Sequence, residues 1–188
     1  MVAIADACAQ GKIPARVGVV ISNEPSAAGL AAAASRGIET LVIDHRVSRG
    51  REEHDMKMAT ALRQRGVGLV CLAGYMRLLS GSFVRGFAGR IMNIHPALLP
   101  SFPGLHAQRQ ALAYGVKLSG VTVHFVDEGL DSGPIIAQAA IGVEPDDTEE
   151  TLARKILKEE HRLYPEAIGL FFNNRLRIEG RTVHITGR

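Results

Sequence analysis

No stretch of this sequence is apolar for long enough to span a membrane, and its first residues lack the basic start, apolar centre and small-residue cleavage site of a secretory signal. Membrane insertion and secretion are therefore not expected. Runs of five or six like charges are absent too, so nucleic acid is not an implied partner, whereas a formal net charge of +3 suits a small anionic substrate. Cysteine is scarce. Cys8 and Cys71 lie far apart, and Cys71 sits within the apolar run Leu69 to Ala73 as a core thiol, which points to a reducing, cytoplasmic setting. The sequence has no Gly-x-Ser-x-Gly elbow, and Ser101 and Ser132 lack a recognisable base, so a covalent serine mechanism is disfavoured. Repeats, low-complexity tracts and linkers are missing as well.

What is present suits one domain over residues 1–188: the length and 46% hydrophobic content allow a sizeable core and a catalytic cleft. Apolar runs at Val17 to Ile21, Thr40 to Ile43, Val67 to Ala73 and Ile91 to Ile94 read as strands, and Pro25 to Arg36 and Glu52 to Arg65 read as helices. That alternation predicts an α/β fold with a mostly parallel twisted sheet and helices on both faces. Downstream, Ala107 to Tyr114 reads as a helix, and Gly120 to Val126 and Ile135 to Val143 as strands. Asp147 followed by Glu150 resembles a capping box opening a long helix to about Asn173, with Pro165 as a kink or break. Arg175 to Ile185 reads as a terminal strand or hairpin.

The segment Asn93-Ile-His-Pro-Ala-Leu-Leu-Pro-Ser-Phe-Pro-Gly-Leu-His106 follows a strand with an amide, two imidazoles and the prolines Pro96, Pro100 and Pro103. Each proline restricts φ and removes a backbone donor, so this loop is rigid, at the strand end where open α/β sheets place ligands. Asn93 and His95 are two apart and share one side of an extended strand. An amide donor beside an imidazole suits a reaction in which a carbonyl oxygen gains charge and a proton moves, such as acyl transfer. A stiff connection with a structural histidine is the alternative. Asp131 has two open readings as well: a carboxylate reaching His95 and favouring its imidazolium, or an Asp serving its own turn, with Gly129 and Gly133 letting the chain double back. His124 either faces the cleft or lies on the sheet surface. Separations among His95, His106 and His124 match no metal-binding pattern, so no metal is expected.

These segments, "NIHPALLPSFPGLHAQRQAL", "GVTVHFVDEGLDSGPIIAQAAI", "EEHRLYPEAI" and "LAGYMRLL", resemble the phosphoribosylglycinamide formyltransferase family of purine synthesis over nearly the whole chain and in the same order. The resemblance implies a Rossmann-like formyltransferase fold and direct formyl transfer from 10-formyltetrahydrofolate to the amine of glycinamide ribonucleotide. It implies a catalytic Asn93, His95 and Asp131. Asn93 hydrogen-bonds the developing oxyanion, His95 as imidazolium stabilises it, and Asp131 supports that imidazolium and relays a proton through water. It implies folate contacts at Arg51, Met76, Arg77, Leu78, Leu79 and Asn93, and along Asp127, Glu128, Gly129, Leu130 and Asp131. Ribonucleotide contacts fall on Met76, Pro96 and Glu160. The partners so implied are two small molecules, with a homodimer compatible.

One departure stands out. Val2 to Cys8 resembles the family's first helix, so the first strand and its phosphate-binding turn are expected to be missing, which weakens the anchor for the ribonucleotide phosphate. Formyltetrahydrofolate hydrolase and methionyl-tRNA formyltransferase share parts of the signature but usually carry a further domain. A truncated folate-binding domain with little turnover is the alternative of another class.

Overall fold

The computed structural model describes residues 1–187. Its elements run α1 (Val2–Ala9), β1 (Val20–Ser22), α2 (Ala28–Ala34), β2 (Thr40–Val42), a short 3-10 helix (His45–Val47), α3 (Arg51–Gln64), β3 (Val70–Leu72), α4 (Gly81–Gly86) and β4 (Ile91–His95). They continue as α5 (Ala107–Tyr114), β5 (Leu118–Phe125), β6 (Ile135–Gly142), α6 (Glu149–Phe172), β7 (Leu176–Glu179) and β8 (Thr182–Ile185). The alternation is that of the expected α/β fold. β1 and β2 pair in parallel, and a six-stranded sheet has the order β3-β4-β5-β6-β8-β7. Within it β3 and β4 are parallel, β5 is antiparallel to both neighbours, and β8 runs parallel to β6 and antiparallel to β7.

Side chains alternate across the strands, so neighbours feed opposite layers. Ile91 of β4 joins Met58, Leu62, Phe83, Val84 and Phe87 beneath α3 and α4. Its neighbour Met92 joins Val121, Val123 and Phe125 of β5 beneath α6, which contributes Leu152, Ile156, Leu163, Tyr164 and Ile168. Each of the fully enclosed Leu152, Ile156 and Ile168 side chains stabilises the fold by roughly 1.5–3 kcal/mol. The sheet is thus covered on both faces, and its strand ends are free to build a site.

Three local expectations are corrected. The cap of α6 is Thr148, which exchanges reciprocal hydrogen bonds with Thr151. Asp147 lies outside the helix, accepting from Glu144 N, Thr151 Oγ1 and Lys155 Nζ. Pro165 does not break α6, which runs continuously to Phe172 because Leu163, Tyr164, Ala167 and Ile168 are all buried around it. Pro25 and Ser26 lie before α2, whose first residue is Ala28. The terminal segment is a hairpin, with Glu179 opposite Thr182. α1 is the first element, as the likeness of Val2 to Cys8 to a first helix implied.

Candidate active site

β4 presents Asn93 and His95. Asn93 is in register with Leu72 of β3 on one side and His124 of β5 on the other, and His95 is in register with Thr122. Period-two geometry therefore puts Asn93, His95, Thr122 and His124 on one face. Asn93 Nδ2 lies 3.3 Å from His124 Nε2, and His124 Nδ1 lies 2.8 Å from the Phe125 carbonyl. A carbonyl only accepts, so Nδ1 carries the proton and Nε2 is the acceptor for the Asn93 amide. His124 is 2% exposed, and burial pushes its pKa down, which keeps the ring in the neutral form this bond requires.

His95 is 4% exposed and is held from two sides. Its Nε2 donates to the Phe102 carbonyl at 2.8 Å, and its Nδ1 faces Asp131 Oδ2 at 3.4 Å. Both nitrogens look at acceptors, so an imidazolium satisfies both at once. The Nδ1 separation exceeds a well-formed N–H···O bond, so Asp131 engages that hydrogen only weakly. Asp131 Oδ1 also lies 3.8 Å from His124 Nε2. Asn93, His95 and Asp131 thus converge, with His124 between the amide and the carboxylate.

Of the two readings of Asp131, the structure supports the one that reaches across. Asp131 takes a positive φ of 48°, and its Oδ2 accepts the Gly104 N–H at 2.7 Å from the proline loop. Asp127 serves the local turn instead, accepting from Gly129 N and Ser132 Oγ. Gly129 and Gly133 do not use positive φ; they are needed for close approach. A Cβ on Gly133 would lie 1.8 Å from the Phe125 carbonyl oxygen, and one on Gly129 2.1 Å from Ser132 Oγ.

Sequence reasoning missed the clamp behind the proline loop. Thr122 Oγ1 donates to the Ala97 carbonyl at 2.7 Å and accepts from Leu99 N at 3.0 Å and from Gln138 Nε2 at 2.9 Å. Gln138 Nε2 also reaches the Leu99 carbonyl at 2.9 Å. Prolines remove donors, and here Thr122 and Gln138 supply the polar partners that the stiff chain still needs. The one available signal was the spacing of Thr122 and His124 on β5, which mirrors that of His95 and Asn93 on β4.

The remaining expected residues are spread more widely. Met76 and Leu78 are exposed, at 72% and 54%, on the loop leaving β3, whose last residue is in register with Asn93. Leu79 is half-buried against the α3–α4 cluster, and Arg77 is half-buried. Leu130 is exposed beside Asp131, and Glu128 pairs with Arg85 at 2.8 Å. Arg51 opens α3 at the surface, and no hydrogen bond or ion pair joins it to the Asn93–His95–Asp131 group. Pro96 is half-buried next to His95. Glu160 lies half-buried on α6, where burial raises its pKa, and it too makes no direct bond to that group. His106 is exposed at the start of α5, away from any shared ligand geometry with His95 and His124. Among the described residues no three His, Cys, Asp or Glu side chains are grouped to hold a metal ion, and no helix is long and apolar enough to cross a membrane.

Residues 1–168 match the family model described as formyl transferase. Glycinamide ribonucleotide transformylase 1 from Symbiobacterium toebii is 55% identical, with a TM-score of 0.98 over 99% of this chain and 88% of that one. Phosphoribosylglycinamide formyltransferase from Escherichia coli (strain K12) is 40% identical over 186 residues, covering 99% of this chain and 88% of that protein. The trifunctional purine biosynthetic protein adenosine-3 of Drosophila melanogaster is 52% identical over 165 residues, which is 88% of this chain but 12% of the relative's length. With its strand-end cluster and a match of this extent, the chain belongs to the formyl transferase family.

Proposed function

We propose that the chain, acting as a single formyltransferase domain in the cytoplasm, transfers a formyl group from 10-formyltetrahydrofolate to the amine of glycinamide ribonucleotide in purine biosynthesis. The observation that carries this reading is the convergence of Asn93, His95 and Asp131 at the end of β4. The substrate amine attacks the formyl carbon, and the carbonyl oxygen takes the electron pair. The Asn93 Nδ2–H not engaged by His124 and the Nδ1–H of His95 stabilise that oxyanion. Asp131 accepts the amine's proton through a water molecule while supporting the imidazolium of His95. Collapse of the tetrahedral adduct re-forms the carbonyl and expels N10 of the folate, which takes up the proton that Asp131 and the water received from the amine. No covalent enzyme intermediate or metal ion takes part.

The folate lies against Met76, Arg77, Leu78 and Leu79 on one side and Asp127 to Asp131 on the other, with Arg51 and Asn93 completing its contacts. Glycinamide ribonucleotide lies along Met76, Pro96 and Glu160, where a carboxylate suits ribose hydroxyls. The exposed apolar side chains of Met76, Leu78 and Leu130 support this placement, because they present uncovered surface near the reacting centre. The test supplies 10-formyltetrahydrofolate with and without glycinamide ribonucleotide and follows formylated ribonucleotide by mass. Product that depends on the ribonucleotide is the expected result. Release of formate alone would assign a hydrolase, and folate binding without either product would reject turnover by this chain.

A further inference from the structure

The loop between β3 and α4 carries Met76, Arg77, Leu78 and Leu79, yet its tip has little internal support: Met76 and Leu78 are exposed. Its two ends are secured differently. At the start, Tyr164 Oη donates toward the carbonyls of Leu72, at 3.0 Å, and Met92, at 2.8 Å. At the finish, the backbone N–H of Ser80 donates to Oδ2 of Asp55, on α3, at 2.5 Å. Asp55 and Ser80 are 1% and 0% exposed. The other carboxylate oxygen of Asp55 lies 3.2 Å from His54 Nδ1, and His54 Nε2 donates to the Ile43 carbonyl at 2.9 Å. Ser80 Oγ in turn accepts from Phe83 N and caps α4.

A buried carboxylate is costly unless its oxygens are paired, and charge-assisted bonds to backbone N–H groups are among the stronger ones. An apolar side chain at position 55 would serve packing alone at less cost. What the carboxylate adds is a fixed position for Ser80, and through it for the residues immediately before. We propose that Asp55, oriented by His54, is a positioning residue for the loop Met76 to Leu79, setting the height of that loop over the end of β4 and hence the affinity for the formyl donor. Asp55 itself touches neither substrate. The inference rests on the folate placement given under Proposed function.

Two readouts keep the two ideas separable. The first is hydrogen exchange of the Ser80 amide, which needs no activity. Asp55→Ala is expected to accelerate it, and Asp55→Asn to preserve most of the protection, because the amide oxygen accepts the same bond while its NH2 faces His54. The second is steady-state kinetics on both substrates. Asp55→Ala is expected to raise KM for 10-formyltetrahydrofolate by about tenfold, with KM for glycinamide ribonucleotide within about threefold of the parent, and Asp55→Asn to restore the folate KM. Should Asp55→Ala fail to fold, Asp55→Leu removes the acceptor of the Ser80 N–H while filling the space, and the same split between substrates is expected.

Equal shifts in both KM values, or unchanged values despite faster Ser80 exchange, would overturn the positioning role and leave Asp55 a stabilising residue. Unprotected Ser80 in the parent protein would also overturn it. Absence of ribonucleotide formylation by the parent protein is the separate failure of the proposed function. In that case titration of a non-reactive folate analogue against parent, Asp55→Ala and Asp55→Asn decides the positioning role: a loss confined to Asp55→Ala supports it, and equal affinities reject it.

Discussion

Two loops meet at the same strand ends and are built in opposite ways. The proline loop after β4 is tied along its length: Ala97 and Leu99 to Thr122 and Gln138, Phe102 to His95, and Gly104 to Asp131. The loop after β3 is tied at its ends by Tyr164 and Asp55, while Met76 and Leu78 project from it. Under the proposed function the difference follows from what each presents. Groups that meet a developing charge must be held in place before the reaction, so they sit in a buried polar network. Apolar groups that cover a ligand's flat surface tolerate adjustment, so anchored ends suffice.

The sharpest way to break the comparison is at the reacting centre. His95→Ala and Asn93→Ala are each expected to lower kcat by roughly 10² or more with the fold retained, as for loss of an oxyanion donor. Single-turnover rates check this, and near-parental rates would remove the role of the residue concerned. Asp131→Asn comes next. Asparagine tolerates the positive φ at 131 and can still accept the Gly104 N–H, so it removes charge alone. A fall of about 10² in kcat is expected if the carboxylate takes part in proton transfer.

Thr122→Val probes the clamp instead of the chemistry. It keeps the shape and strips the Ala97 carbonyl and Leu99 N–H of their buried partner, for an expected loss of about 2 kcal/mol by urea denaturation. Met76→Ala and Leu78→Ala should do the converse, raising KM for the folate by a few fold while stability stays within about 0.5 kcal/mol, as for other exposed positions. A stability loss for these as large as for Thr122→Val would erase the distinction between the loops.

The smallest effect concerns pH. Burial lowers the pKa of His124 in the folded protein below its unfolded value of about 6.5. The unfolded chain therefore binds the proton first as pH falls. The stability owed to neutral His124 is complete above pH 6.5 and is lost as pH drops toward the folded pKa. The protein is expected to lose more stability than His124→Gln between pH 7.5 and 5. Urea midpoints at the two pH values measure it, and parallel losses would assign the acid sensitivity to other groups.

Much of this was legible locally. The alternation of apolar runs and helical segments sufficed for the α/β class, because period and length report burial without knowledge of partners. Asn93 and His95 were readable as a pair because two residues on one strand share a face whatever surrounds them. The likeness of "GVTVHFVDEGLDSGP" to a known family picked out Asp131, whose neighbours alone left it ambiguous. α4 was missed because six residues with two glycines carry little helical signal, and its Ser80 cap depends on burial of Asp55 from a different helix.

By itself, then, the amino-acid order determined most of the elements, the rigid loop and the residue types able to handle an acyl group, all of which depend on neighbours within a few positions. Only the tertiary structure decided that His124 holds the Asn93 amide, that Thr122 and Gln138 grip the proline loop, and that Asp55 holds Ser80 from 25 residues away in the chain. Those bonds depend on strand register and helix packing, and a donor's partner across a sheet is set by which strands lie side by side.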